Sequence, residues 1–249
     1  HLGDDVLHVG HQQALGQFQL EFFRVRAAVI EHRPHLGYEI RMPELAGDQV
    51  FNTAVLVGPR EGYITRYRKL HLWSEEKLLF DAGDLGIVVV DLPFCRLGIM
   101  ICYDMWFPEQ ARIMRLLGAD TLAVPAALVW NDTPAHVKRG LYMANTVGMA
   151  TAHLNQVHLA LASQVGRFGD KWLFGSSMLA DPNGWLLTDP ADDEHAAVLY
   201  HAVDFTYGRR LRGWGKLDNF DRDRRTDVYG ELLGYTPPEE HYDTLPAWH

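Results

Sequence analysis

Between Leu15 and Arg33 the apolar residues Leu15, Phe18, Phe22, Val25 and Val29 recur at three- and four-residue intervals, and Pro34 ends the run. That spacing predicts an amphipathic helix. The period then shortens. Tyr38 to Met42, Phe51 to Val57 and Tyr63 to Leu70 read as strands, with turn material from Glu44 to Asp48 and from Gly58 to Gly62, a spacing that suits an antiparallel meander. Ile87 to Leu92 and Arg96 to Ile101 are nearly continuous apolar runs, as expected of strands buried on both faces. The second runs straight into Cys102. Pro108 and Glu109 then open a helix through Leu117, proline where its missing N–H costs nothing and the carboxylate at the positive end of the helix dipole.

Further on, the pattern predicts a strand from Thr121 to Pro125, a helix from Ala135 to Met149, and strands from Gln156 to Ser163, Ser176 to Ala180 and Ala196 to Asp204. The turn Asp181-Pro182-Asn183-Gly184 leads out of the middle one of these three. From Gly230 the chain carries prolines and no periodicity, ending GYTPPEEHYDTLPAWH, and reads as an extended tail. The whole is mixed α/β, without internal repeats or low-complexity tracts.

Composition adds bounds. With 249 residues and 47% hydrophobic content the chain can bury one large core, so a single domain over residues 1–249 is expected. A net charge of −9 gives no electrostatic footprint for nucleic acid or an anionic membrane surface. No apolar run approaches the length of a membrane span, and the start HLGDDVLHVG has neither a basic nor an apolar signal region, so a cytoplasmic protein is expected. Cys95 and Cys102 lie too close together to staple a fold of this size, and free thiols are the expectation. His153 and His158, five residues apart, fit neither a zinc helix motif nor a Cys/His finger, so no metal and no cofactor is called for.

The position of Cys102 carries chemistry. After an apolar strand and before a helix, it falls at the carboxyl edge of a sheet, where ligand sites of open α/β sheets collect. There its thiol faces a helix N-terminus, which favours the reactive thiolate. A lone cysteine is more often a buried packing residue, and Cys95, in the turn between two strands, keeps that reading.

What surrounds Cys102 changes the balance. The segment YRKLHLW (Tyr67 to Trp73), the pair Glu75-Glu76, FDAGD, and LGIMICYDMWFPE (Leu97 to Glu109) together resemble the amidase-like branch of the nitrilase superfamily of carbon–nitrogen hydrolases. FNTAVLVGP before the lysine, Gly118-Ala119-Asp120, and FGSSMLADPNG at Phe174 to Gly184 match in the same order. Collinear motifs are far more specific than any one of them. The resemblance implies a four-layer α-β-β-α sandwich that assembles into homodimers or larger homo-oligomers through helix contacts and C-terminal tails. It also implies Cys102 as nucleophile and Lys69, 33 residues earlier, as the fixed ammonium beside a tetrahedral oxyanion, aided by the backbone N–H of Tyr103. Glu76, seven residues before Gly83, matches a second glutamate that orients the lysine or the substrate. Glu75 is read as a solvated neighbour, and Asp104, Glu109 and Arg112 as residues that hold the turn and its helix.

The match breaks at the family's general base, a glutamate at the end of an early strand, often within Pro-Glu-Leu. Met42-Pro43-Glu44-Leu45 has the letters, but Glu44 stands only 25 residues before Lys69 and directly precedes the NTAVL strand, so it is read as a second, non-catalytic Pro-Glu. Residues 1–14 contain no glutamate, so the sandwich is expected to be N-terminally incomplete, as a fragment or by natural loss, and residues 1–249 alone to turn over little or no substrate. True nitrilases of the superfamily usually carry Trp-Glu after the cysteine, so by this resemblance Tyr103-Asp104 implies amides rather than nitriles. Met105 and Trp106, where carbamoyl-amino-acid hydrolases place arginine, point to a neutral or apolar acyl group, with Trp106 and Trp130 as pocket walls. The expected reaction is thioester-mediated cleavage of a small amide with release of ammonia; nitrile or N-carbamoyl hydrolysis, or a catalytically impaired interaction protein, are the alternatives.

Overall fold

Two sheets facing each other across an apolar interior organise the computed structural model of the chain, which is described here for residues 25–27, 38–40, 42–58, 61–129, 137–138, 140–213 and 217–229. In chain order the elements are β1 (Val25–Ala27), β2 (Tyr38–Ile40), β3 (Met42–Ala46), β4 (Gln49–Gly58), β5 (Gly62–Arg68), α1 (Glu76–Leu79), β6 (Val89–Asp91) and β7 (Arg96–Ile99). A 3-10 turn (Cys102–Trp106) leads into α2 (Pro108–Leu116), followed by β8 (Thr121–Ala126), β9 (Val137–Lys138), β10 (Leu141–Tyr142) and α3 (Met143–Asn155). The rest comprises β11 (His158–Ser163), β12 (Val165–Phe168), β13 (Lys171–Phe174), β14 (Met178–Ala180), α4 (Phe205–Arg210) and α5 (Thr226–Tyr229).

The larger sheet has the order β14-β11-β8-β7-β6, with β7, β8 and β11 parallel and the two outer strands antiparallel to their neighbours. The smaller is an antiparallel meander, β3-β4-β5, whose first strand is displaced from the expected Tyr38 to Met42: Glu44 to Ala46, expected as turn, pair with Phe51 to Gln49, and the turn narrows to Gly47-Asp48. Strand alternation sorts the core. On β8, Leu122, Val124 and Ala126 pack with Ala111 and Met114 of α2 and Ala144 and Ala152 of α3. Ala123, pointing the other way, packs with Ile99, Ile101 and, from the meander, Ala54, Leu56 and Tyr67. Helices, large sheet and small sheet therefore form three successive layers. The helices expected to cover the small sheet as a fourth layer are not among the described residues. Gly98 permits the close approach of α2: a Cβ there would stand 2.7 Å from Leu122 and 2.9 Å from Met114.

The structure corrects several expectations. Within the helix expected from Leu15 to Arg33, Val25–Ala27 forms a strand in antiparallel register with Tyr38–Ile40, so pairing overrides helical spacing there; the remainder lies outside the described residues. The helix expected from Ala135 to Met149 is replaced at its start by the short β9–β10 pairing, with Gly140 at φ +75° in the turn. The real helix starts at Met143, where Asn145 Oδ1 accepts from the Tyr142 N–H at 3.0 Å, and runs to Asn155. The strand expected over 196–204 is absent: that stretch has no regular structure, Val198 and Tyr200 are exposed, and Asp204 instead caps α4 by accepting from the Thr206 N–H at 2.8 Å. Burial on both faces holds for β7 and β8 but not for β6, which is half-exposed at the sheet edge. No described helix is long and apolar enough to cross a membrane. The tail from Gly230 lies outside the described residues.

Candidate active site

Met100 continues the β7 pairing by donating to Ala123 O at 3.0 Å, and the chain then turns sharply at Cys102, whose φ is +50°. Left-handed backbone at a residue with a Cβ costs of order 1–3 kcal/mol and persists only where its surroundings impose it. Here the imposing group is Asp104, which is fully buried. Its Oδ2 accepts from the Ile101 N–H at 2.8 Å and from the Tyr67 hydroxyl at 2.7 Å, and its Oδ1 from the His71 N–H at 3.0 Å, with His71 Nδ1 at 2.8 Å. Tyr67 in turn accepts from Gln110 Nε2 at 2.8 Å and the Leu70 N–H at 3.1 Å. Burial, reinforced by the Asp104 charge, pushes the Tyr67 hydroxyl far above its ordinary pKa, so it stays a donor.

Cys102 packs against both core clusters, at the seam between the two sheets and the helices. Its Sγ stands 4.0 Å from Ala127 O. It opens onto a cavity of about 150 Å³ lined also by Trp73, Tyr103, Trp106, Val129, Met143 and Phe174. Tyr103 is the second residue of the 3-10 turn, among the leading N–H groups that precede the first bond of the turn, Asp104 N–H to Ile101 O at 3.0 Å. Cys95 differs in kind: it is buried, and desolvation together with the Asp120 charge pushes its thiol up to about 12.

Lys69 follows β5, and its side chain is fully buried. Its ammonium donates to Glu76 Oε2 at 2.5 Å, while Glu76 also accepts from Asn52 Nδ2 at 3.0 Å and from the Trp73 N–H at 2.8 Å. Backbone bonds fix the lysine: Lys69 N–H to Asn52 O and Gly83 N–H to Lys69 O, both 2.8 Å. The second requires Gly83, because a Cβ there would stand 2.2 Å from Arg68 O. Glu44 is engaged elsewhere. Its carboxylate takes two bonds from Arg68, at 3.0 and 2.5 Å, and one from Thr53 at 2.9 Å, with Arg66 at 3.3 Å. Those Arg68 bonds hold it below the usual carboxylate range despite partial burial. Glu75 is exposed and pairs with Lys171.

Among the expected site residues, Cys102, Tyr103 and Trp106 line one cavity, and Lys69 and Glu76 form one ion pair, the lysine fully buried and the glutamate partly exposed. Trp73 joins the groups, lining the cavity and donating to Glu76. Trp130 lies outside the described residues; Val129, its neighbour, lines the cavity. Sequence reasoning missed Asn52, Trp73, Met143 and Phe174. Asn52 had a signal, as the one amide in the apolar run Phe51 to Val57. No group of three or more potential metal-ligating side chains occurs among the described residues.

Comparison with known proteins follows from this geometry. Residues 13–212 match the family model described as carbon-nitrogen hydrolase. A nitrilase from Pyrococcus abyssi is 37% identical over 186 residues, covering 75% of this chain and 66% of its own length, so the chain spans just under two thirds of that relative. A carbon-nitrogen hydrolase from Helicobacter pylori G27 superposes with a TM-score of 0.70 at 31% identity, covering 78% of this chain and 70% of the other. A variant of an amidase from Nesterenkonia sp. AN1, solved with the acetamide moiety of fluoroacetamide added covalently at its active site cysteine, gives a TM-score of 0.62 at 25% identity, over 78% of this chain and 66% of the other.

Proposed function

The chain belongs to the carbon–nitrogen hydrolase family of the nitrilase superfamily, and from that membership we propose that Cys102 is the nucleophile of a hydrolase that cleaves small neutral amides. The observation that carries this reading is the left-handed Cys102 at the end of a buried strand, opening onto a cavity. In the proposed reaction the Cys102 thiolate attacks the amide carbon and the carbonyl oxygen becomes an oxyanion. The Lys69 ammonium and the Tyr103 N–H stabilise that charge. The group that took the thiol proton returns it to the leaving nitrogen, so that collapse breaks the C–N bond and expels ammonia, leaving an acyl thioester on Sγ that water hydrolyses. Glu76, aimed by Asn52 and the Trp73 N–H, holds the ammonium in place. Of the described residues lining the cavity only Cys102 and Tyr103 carry ionisable groups, so the proton acceptor for the thiol is assigned to another part of the protein. Glu44, committed to Arg68 and Thr53, is not that acceptor.

Trp73, Trp106, Val129, Met143 and Phe174 offer the substrate apolar surface and no charge, which suits an uncharged acyl group. Covalent addition at the cysteine of the Nesterenkonia amidase supports the thioester step. The likeness to the Pyrococcus nitrilase keeps nitriles as a second substrate class. A homo-oligomer belongs to the same reading, with Ile113 and Leu117 at α2 and Leu154 on α3 exposed for helix contacts. Ammonia release measured in parallel from propionamide, phenylacetamide, propionitrile and an N-carbamoyl amino acid tests it. Preference for the neutral amides is expected. Faster turnover of the carboxylate-bearing carbamoyl substrate overturns the assignment of an uncharged acyl pocket.

A further inference from the structure

We propose that His71 is a positioning residue that ties the segment carrying Lys69 to the strained turn carrying Cys102. The proposal rests on the reading of Cys102 as nucleophile and goes beyond it. His71 reaches the turn by two routes. Through Asp104, its N–H and Nδ1 occupy Oδ1 while Oδ2 takes the Ile101 N–H, the group immediately before Cys102. In this contact Nδ1 is assigned as the donor, the carboxylate oxygen accepting. Through its ring, His71 stacks on Phe107 at 3.7 Å and 8°, and Phe107 meets Tyr103 edge-on at 5.1 Å and 88°. One imidazole thus braces the residue before the cysteine and the residue after it, from a position two residues beyond Lys69.

The geometry assigns His71 a role separable from mere packing. Asp104 has no exposure, so with a residue-71 side chain that lacks the donor Oδ1 keeps only the backbone N–H and the buried carboxylate is one partner short. That shortfall loosens the carboxylate that holds the Ile101 N–H and lets φ at Cys102 relax away from +50°. His71 does not line the cavity, so it affects the thiol's reactivity by setting the turn rather than by touching substrate.

Alkylation of Cys102 by iodoacetamide reads the turn directly: the thiolate forms the S–C bond and iodide leaves. The rate is followed by peptide mass spectrometry on the wild-type protein, on His71→Phe, which keeps a stackable ring and loses the donor, and on His71→Asn, which restores a donor near Nδ1. His71→Phe is expected to slow alkylation about tenfold, since small misplacements of a reacting group cost factors of this order. His71→Asn is expected to recover most of the rate, with far-UV circular dichroism unchanged in both. Wild-type rate in folded His71→Phe overturns the positioning role while leaving the nucleophile reading intact. A wild-type Cys102 that reacts no faster than free cysteine overturns both. Should His71→Phe fail to fold, His71→Asn decides alone: a rate more than tenfold below wild type in the folded protein contradicts donor rescue, and a rate near wild type supports it.

Discussion

The backbone N–H of Trp73 donates to the Glu76 carboxylate at 2.8 Å, and Trp73 also lines the cavity onto which Cys102 opens. The Lys69–Glu76 pair, built from a strand end and the start of α1, is in this way registered against the cavity built around β7. Movement of either part displaces the other.

Replacing Lys69 by methionine removes the ammonium while keeping most of the side-chain volume. The proposed oxyanion role predicts a loss of about 10²–10³ in kcat. Stability should fall as well, by about 3 kcal/mol, because Glu76 loses its fully buried partner while keeping some solvent contact. Steady-state kinetics and denaturant unfolding measure the two effects separately.

Gly83→Ala is expected to damage the site without touching a reactive group. The added Cβ would stand 2.2 Å from the Arg68 carbonyl oxygen, and backbone cannot yield as a flexible side chain does. Its N–H bond to Lys69 O at 2.8 Å must then lengthen. A loss of about 1–3 kcal/mol is expected from overpacking, together with reduced kcat. Thermal unfolding and activity of the same preparation check both.

Glu44 links stability to acid. Its pKa is lowered from 4.5 chiefly by the Arg68 hydrogen bonds, so its contribution is complete above the unfolded value and fades as pH falls through the lower folded value. Glu44→Gln should therefore be less stable than wild type at pH 7, with the gap between the two melting temperatures closing below about pH 4.5. Parallel melting curves across pH 3 to 7 contradict this.

Trp106 is 38% exposed at the cavity wall, so Trp106→Ala widens the cavity without opening the core. The kcat/KM ratio of phenylacetamide to propionamide should rise, by about tenfold for pocket volume changes of this kind. Paired progress curves on the two amides measure it.

Much of this was legible in the sequence because the relevant residues are local. Cys102 sits where an apolar strand runs into the turn before Pro108, and Lys69 and Glu76 fall in one contiguous stretch whose resemblance to the nitrilase superfamily singled them out. Asn52 was not legible as a partner of Glu76, because strand β4 meets that glutamate only through the fold. The helix expected at Ala135 actually begins at Met143 because the left-handed Gly140 and the Asn145 cap set its start, and neither disturbs the apolar pattern. Conversely, Val198 and Tyr200 gave a strand-like run although the structure leaves both exposed. Alternation reports a capacity to pair, and pairing requires a free neighbouring edge.

The central claim is covalent catalysis at Cys102. Its most direct test is peptide-mapped mass spectrometry of the protein with the part that supplies the thiol's proton acceptor present, quenched with acid during incubation with propionamide, alongside Cys102→Ala. A propionyl adduct on the Cys102 peptide is expected, absent from the variant, with ammonia release lost in parallel. Ammonia release that continues in folded Cys102→Ala would contradict it.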